Sequence, residues 1–262
     1  MESAQDYWTA HALLEWQVEM GADEAILDAP MNRYELVDEK PAAKVSPLGK
    51  AAPPPIPVKE KVDPVEIAKA AAKSAETLES LAGAMRAFEH CELKKGARNF
   101  VFGDGAANAN VMIIGEAPNR DDDQHGKPFA GPVGELFDKM VGAIGLSRSH
   151  PDPASSVYVT TVLPWRPPAN RVPEAAELAM MLPFLTRHIE LVDPAIIVLM
   201  GNSPCQALLG KAGISRLRGQ WTTFLGKPVL PMAHPEQLMK NPTAKRDAWA
   251  DLLDLKARLS NP

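Results

Sequence analysis

Residues 110–118 read NVMIIGEAP, and the fold turns on how this stretch is read. Val111 to Ile114 are apolar without a break, and Gly115 and Pro118 end the run within a few residues. A short apolar run closed by glycine and proline suits a strand buried on both faces of a parallel sheet. The same alternation continues downstream. GELFDKMVGAIGL has helical spacing, SVYVTTVLP is strand-like, PEAAELAMMLPFLTRHIELV is helical and PAIIVLMG is strand-like again. SPCQALLG then reads as a short helix, KPVLPMAHP as a last strand and TAKRDAWADLLDLKARL as a C-terminal helix. This order predicts an α/β fold of three layers, α/β/α, around a central, mostly parallel four-stranded sheet.

Upstream, DYWTAHALLEWQVEMGADEAI reads as an amphipathic helix with Leu13, Leu14, Trp16 and Val18 among polar residues, so residues 1–40 form a helical extension. Residues 41–62 turn to proline, alanine and lysine, the composition of a linker. Asp63 as N-cap and Pro64 at the first helical position then open a long helix reaching about Phe88, and residues 63–262 make the α/β domain.

No apolar run approaches the roughly 20 residues a membrane span needs, and the first residues lack the pattern of a secretory signal. Cys91 and Cys205, far apart, give no disulfide framework, so a reducing cytoplasm is expected. The net charge of −5 argues at first against a nucleic-acid partner, but the charge is uneven. Residues 1–60 hold eleven acidic against five basic side chains, while residues 211–262 hold nine basic against four acidic. Local charge decides whether a phosphate backbone can dock, and the C-terminal end is basic.

In folds of this kind the working residues sit on loops after the strand C-termini. The first such loop, GEAPNRDDDQHGKPFAG (residues 115–131), puts Asp121, Asp122 and Asp123 at the mouth of the sheet and Phe129 on a backbone stiffened by Pro128. A rigid ring beside carboxylates suits stacking of a flat ligand next to an activated water. The same residues also suit an acidic surface turn with Phe129 dipping into the core. The second loop, TTVLPWRPPANRVPEAAE, holds Arg166 and Arg171 between proline turns, free to bind phosphate or carboxylate. The third, AHPEQLMKNPTAKRDAW, fixes His234 before Pro235 and follows the apolar pair Leu238-Met239 with Lys240, Lys245 and Arg246. Apolar tips flanked by bases suit wedges that enter a DNA groove.

Taken together and in order, the three loops resemble the uracil-DNA glycosylase superfamily, most closely its type-4 enzymes, whose pattern is roughly GEAPGxxEDxxGxPFVG, NxxKCRPPxNR and HPSYLLRN. The resemblance runs from about Phe88 to Leu255. It implies that Gly115, Glu116, Ala117 and Pro118 line a uracil pocket by their backbone, and that Asp122 and Asp123 activate water or shape the pocket. It implies further that Phe129 stacks on a flipped base, that His234 hydrogen-bonds a uracil carbonyl, and that Leu238, Met239 and Lys240 enter the duplex. The expected function is hydrolysis of the N-glycosidic bond of uracil, or a related deaminated base, in DNA after base flipping.

Four departures bear on these expectations. The type-4 pattern carries an iron–sulfur cluster on four cysteines. Here only Cys91 remains, with Phe88 or a neighbour, Trp165 and Leu182 at the other positions, so no cluster is expected. Thr161 replaces the asparagine that reads the Watson–Crick edge of uracil, Asn119 replaces a glycine, and Glu236-Gln237 replaces Ser-Tyr. A weak or inactive member that binds DNA or a partner is the competing reading. A nucleotide-binding enzyme lacks any G-x-G-x-x-G or Walker sequence to support it. The chain is expected to be a monomer, with the N-terminal extension available to tether a replication or repair protein.

Overall fold

The computed structural model describes residues 4–20 and 63–260, and the remaining expectations for the extension and the linker lie outside the described residues. The chain divides into two units, Met1–Val58 and Lys59–Pro262. In the first, helix α1 spans Ala4–Glu19 and leaves Leu13, Leu14, Trp16 and Val18 exposed.

The second unit opens with α2 (Pro64–Ser74) and α3 (Leu78–Ala87), where a single helix was expected. Asp63 caps α2 by accepting from the Val65 amide, as its sequence suggests. The break comes at Ala75, which is extended, and at Thr77, whose hydroxyl accepts from the Ser80 amide while Ser80 accepts from the Thr77 amide. That reciprocal cap starts a new helix rather than continuing the old one. A single turn, α4 (Leu93–Gly96), follows.

The sheet has six strands: β1 (Asp104–Gly105), β2 (Val111–Gly115), β3 (Val157–Thr161), β4 (Ile196–Met200), β5 (Thr222–Phe224) and β6 (Lys227–Met232). Their order is β1-β3-β2-β4-β6-β5. The inner four, β3-β2-β4-β6, are parallel and are the four the sequence announced. The correction is at the margins, where β1 and β5 add short antiparallel edges. Every residue of β2, β3 and β4 is buried.

Alternate side chains of these strands feed two cores. Met112, Ile114, Ile197 and Leu199 pack in one cluster with α2, α3 and α7 (Ala175–Val192) through Ala68, Leu81, Met85, Phe184 and Ile189. On the other face Ile113, Val159, Val198 and Leu230 meet α6 (Gly131–Gly142) and α11 (Lys245–Ser260) through Phe137, Val141, Leu252 and Leu255. The remaining helices are short: α5 (Arg120–His125), α8 (Asn202–Leu209), α9 (Ile214–Leu217) and α10 (Pro235–Lys240). Because β3 and β4 flank β2 on opposite sides, the chain reverses its winding there. A crevice then opens beyond the strand C-termini.

Candidate active site

A cleft of about 380 Å³ occupies that crevice. Each inner strand supplies part of its wall from the loop it leads into: Glu116 to Asn119 after β2, Pro167 and Asn170 to Pro173 after β3, Asn202 and Ser203 after β4, and His234 with Glu236, Gln237 and Lys240 after β6. Three of these four loops stand out in the sequence. The loop after β4 does not, although a glycine ending an apolar strand before Asn202 and Ser203 was the available signal.

His234 caps α10, and its Nδ1 accepts from the Glu236 amide at 3.3 Å. An imidazole that accepts at Nδ1 carries its proton on Nε2. Burial lowers this histidine to about 4, so near neutral pH it is an uncharged donor. Its Nε2 lies toward Gly115: a Cβ built there would sit 3.6 Å from Nε2 and 2.6 Å from the Phe129 ring. Any larger residue at position 115 would push the ring aside, which is the physical reason for glycine at the end of β2. The rings of Phe129 and His234 lie 5.1 Å apart, and Phe129 is buried.

The acids after β2 are not where they were expected. Residues 120–125, read as loop, form α5, capped by Asn119, whose Oδ1 accepts from the Asp121 and Asp122 amides. Asp122 returns the contact from Oδ2 to the Asn119 amide at 3.0 Å, and its Oδ1 accepts from the Ala130 amide at 2.7 Å. Burial raises its carboxyl above the ordinary range, against the pull of those amides. Asp123 Oδ1 accepts from the Arg98 and Asn99 amides at 2.8 and 2.9 Å. Both acids are therefore turned onto backbone, not into the cleft. Two carboxylates line the cleft: Glu236, paired with Lys240, and Glu116. Glu116 accepts from the amides of Asn202 and Ser203 and from the Ser203 hydroxyl, so the start of α8 holds it fixed. Gly201 makes room, since a Cβ there would collide with Glu116 Oε1.

The basic residues divide. Arg171 reaches the cleft but is held in a fork by Glu177 at 2.9 and 2.6 Å, and Arg166 is steered by its Nε, which donates to Asn170 Oδ1 at 2.6 Å. Lys240 pairs with Glu236 at 2.6 Å, and Lys245 and Arg246 are exposed. Leu238, expected at the wedge tip, is 1% exposed and packs with Ala233 and Ala248. Met239, at 45%, is the apolar side chain that projects. Helical geometry explains the split, because adjacent residues on α10 point to different sides. Thr161 pairs with Gly115 across β2 and β3 and donates its hydroxyl to the Leu163 carbonyl at 2.7 Å.

The positions that would hold an iron–sulfur cluster do not fit one. Cys91, Phe88 and Trp165 are buried in the same apolar core, with Leu182 packed against it. Burial raises the Cys91 thiol, the wrong direction for a thiolate ligand. Among the described residues no three His, Cys, Asp or Glu side chains gather as a metal site.

A parallel sheet whose strand ends converge on one cleft, with a neutral histidine donor and a fixed carboxylate, defines an α/β enzyme built to receive a ligand whose carbonyl gains negative charge. The family model described as the uracil DNA glycosylase superfamily matches residues 102–253, and the chain belongs to that superfamily. It is 34% identical over 196 residues to the type-4 uracil-DNA glycosylase of Saccharolobus solfataricus, covering 71% of this chain and 88% of that protein. The enzymes of the same description from Sulfurisphaera tokodaii and Archaeoglobus fulgidus are 32% and 33% identical, covering 71% and 67% of this chain and 87% and 90% of theirs.

Proposed function

We propose that this protein excises uracil from DNA by hydrolysing the N-glycosidic bond and leaves an abasic site. The observation that carries the reading is His234: an uncharged imidazole with its tautomer set by the Glu236 amide and its Nε2–H aimed beside Gly115. A base within a duplex must first be extruded, at a cost of about a few kcal/mol. As the glycosidic bond breaks, the departing uracil gains negative charge on its carbonyl oxygens. A donor fixed in advance stabilises that charge by roughly 2.7–4 kcal/mol. The sugar left behind gains positive charge, and the Glu116 carboxylate, fixed on α8, stabilises it from the cleft wall. Thr161 offers an acceptor but no free proton, because its hydroxyl is committed to Leu163. It supplies half of what an asparagine amide would.

DNA reaches the cleft past exposed Met239, Lys245 and Arg246. We infer that no cluster is bound, since one buried thiol cannot replace about four cysteine ligands. We also infer that the protein acts as a monomer in a reducing cytoplasm, with residues 1–40 as a tether for a replication or repair protein. The test is a labelled oligonucleotide holding one uracil. Wild type should release uracil, and His234→Ala should do so about 10²–10³ times more slowly. DNA binding without release by wild type would favour the inactive-module reading.

A further inference from the structure

Phe129 is held in a conformation that its own sequence disfavours. Its φ is 51°, in the left-handed region that a bulky aromatic residue seldom occupies. Such backbone states are costly and persist only where the surroundings over-determine them. The surroundings here centre on Arg148, far from the cleft loops in sequence and without any mark in the motifs.

Arg148 Nη2 donates to the Phe129 carbonyl and Nη1 to the Pro128 carbonyl, both at 2.9 Å. Its Nε binds Asp138 at 2.8 Å, and Nη1 also reaches Asp104 at 3.3 Å. The guanidinium carbon lies 5.0 Å over the Phe137 ring, which in turn touches the Phe129 ring at 4.6 Å. The side chain is 14% exposed. Only a planar fork can serve two successive carbonyls and two carboxylates at once; a lysine ammonium cannot span them. Gly134 completes the arrangement, since a Cβ there would collide with the carbonyl oxygen of Phe129 that Arg148 binds.

We propose that Arg148 is a positioning residue for excision: it clasps the Pro128 and Phe129 carbonyls and thereby fixes the Phe129 ring beside Gly115 and His234. This rests on the uracil-excising reading above. Arg148 does not line the cleft and holds the Pro128 and Phe129 carbonyls, so it acts through Phe129.

The test is a double-mutant cycle in single-turnover excision from a uracil oligonucleotide, using Arg148→Ala, Phe129→Ala and the pair. If Arg148 acts through Phe129, Arg148→Ala slows excision by about 10–100-fold while the pair is no slower than Phe129→Ala alone, within about three-fold. Millimolar guanidinium should restore Arg148→Ala, because the site borders a cavity of about 340 Å³, and should do nothing for the pair. Gly134→Ala, which attacks the same carbonyl from the other side, should slow excision to a similar degree. Losses that multiply in the pair would overturn the proposal, as would an undiminished Arg148→Ala. Should Arg148→Ala fail to fold, Arg148→Lys, which keeps the charge facing Asp104 and Asp138, replaces it in the cycle with the same outcomes. Absence of excision by wild type would instead sink the functional reading, and this inference with it.

Discussion

The loops after β2 and β6 both carry motif residues, and they use them in opposite ways. After β2 two charged side chains point inward, where Asp122 and Asp123 bind the amides of Asn119, Ala130, Arg98 and Asn99. After β6 the apolar Leu238 points inward, His234 and the polar Glu236, Gln237 and Lys240 line the cleft, and Lys245 and Arg246 are exposed. On the proposed reading Asp122 and Asp123 are scaffold, while Glu116 of the same loop and His234 of the other serve the chemistry. The lesson is that an acid in a motif at a strand end need not be an acid in the site. Its oxygens can be wholly engaged in holding the loop that carries a neighbour.

The largest expected effect comes from breaking the scaffold. Asp122→Ala removes a buried carboxylate and leaves two part-buried amides without acceptors, each worth up to about 1–3 kcal/mol, so it should lower the melting temperature markedly and abolish excision together with it. Thermal melts read this directly, and an unchanged melting temperature with lost activity would return Asp122 to the chemistry. Leu238→Ala should cost about 2–5 kcal/mol of stability, as a buried leucine does. Met239→Ala should stay within about 0.5 kcal/mol yet weaken excision from duplex more than from single strands. Denaturant titration beside the two substrates separates them.

Acid should destabilise the fold through its histidines. Burial holds His188 at about 3 and His234 at about 4, both below the ordinary 6.5. The unfolded chain therefore takes up protons first as pH falls. Stability is fully present above the ordinary value and is lost, at up to about 1.4 kcal/mol per unit and per histidine, down toward the folded values. Excision, by contrast, should show no step near the ordinary histidine value, since His234 remains neutral through it. The smallest expected effect is at Thr161, where asparagine would restore a free donor beside its acceptor and should raise uracil excision several-fold over wild type, read by single-turnover rates.

Much of this was legible in sequence, for identifiable reasons. The inner strands are buried on both faces, so each is an unbroken apolar run such as VMIIG or IIVLM. Edge strands β1 and β5 pair on one side only and contain two and three residues, too short and too polar to leave a pattern. Helix α5 has its signal in Asn119 and Asp122, three apart as a capping box requires, but three consecutive aspartates at a strand end carry the same pattern as an acidic site loop. His234 was legible as a fixed ring between a strand and a proline. Which of Leu238 and Met239 faces inward depends on the packing of α6 against α10, and Arg148 acts through backbone carbonyls, which no motif records.

The separation of scaffold from chemistry is most directly tested by the single-turnover rate of Asp123→Asn. An asparagine oxygen still accepts from the Arg98 and Asn99 amides, so the loop is kept while the capacity to take a proton from water is removed. Excision within about three-fold of wild type, less than about 1 kcal/mol in the barrier, is the expected result. A loss of about 10² or more at an unchanged melting temperature, the scale of general-base removal, would show that Asp123 handles water and that the division of scaffold from chemistry is wrong.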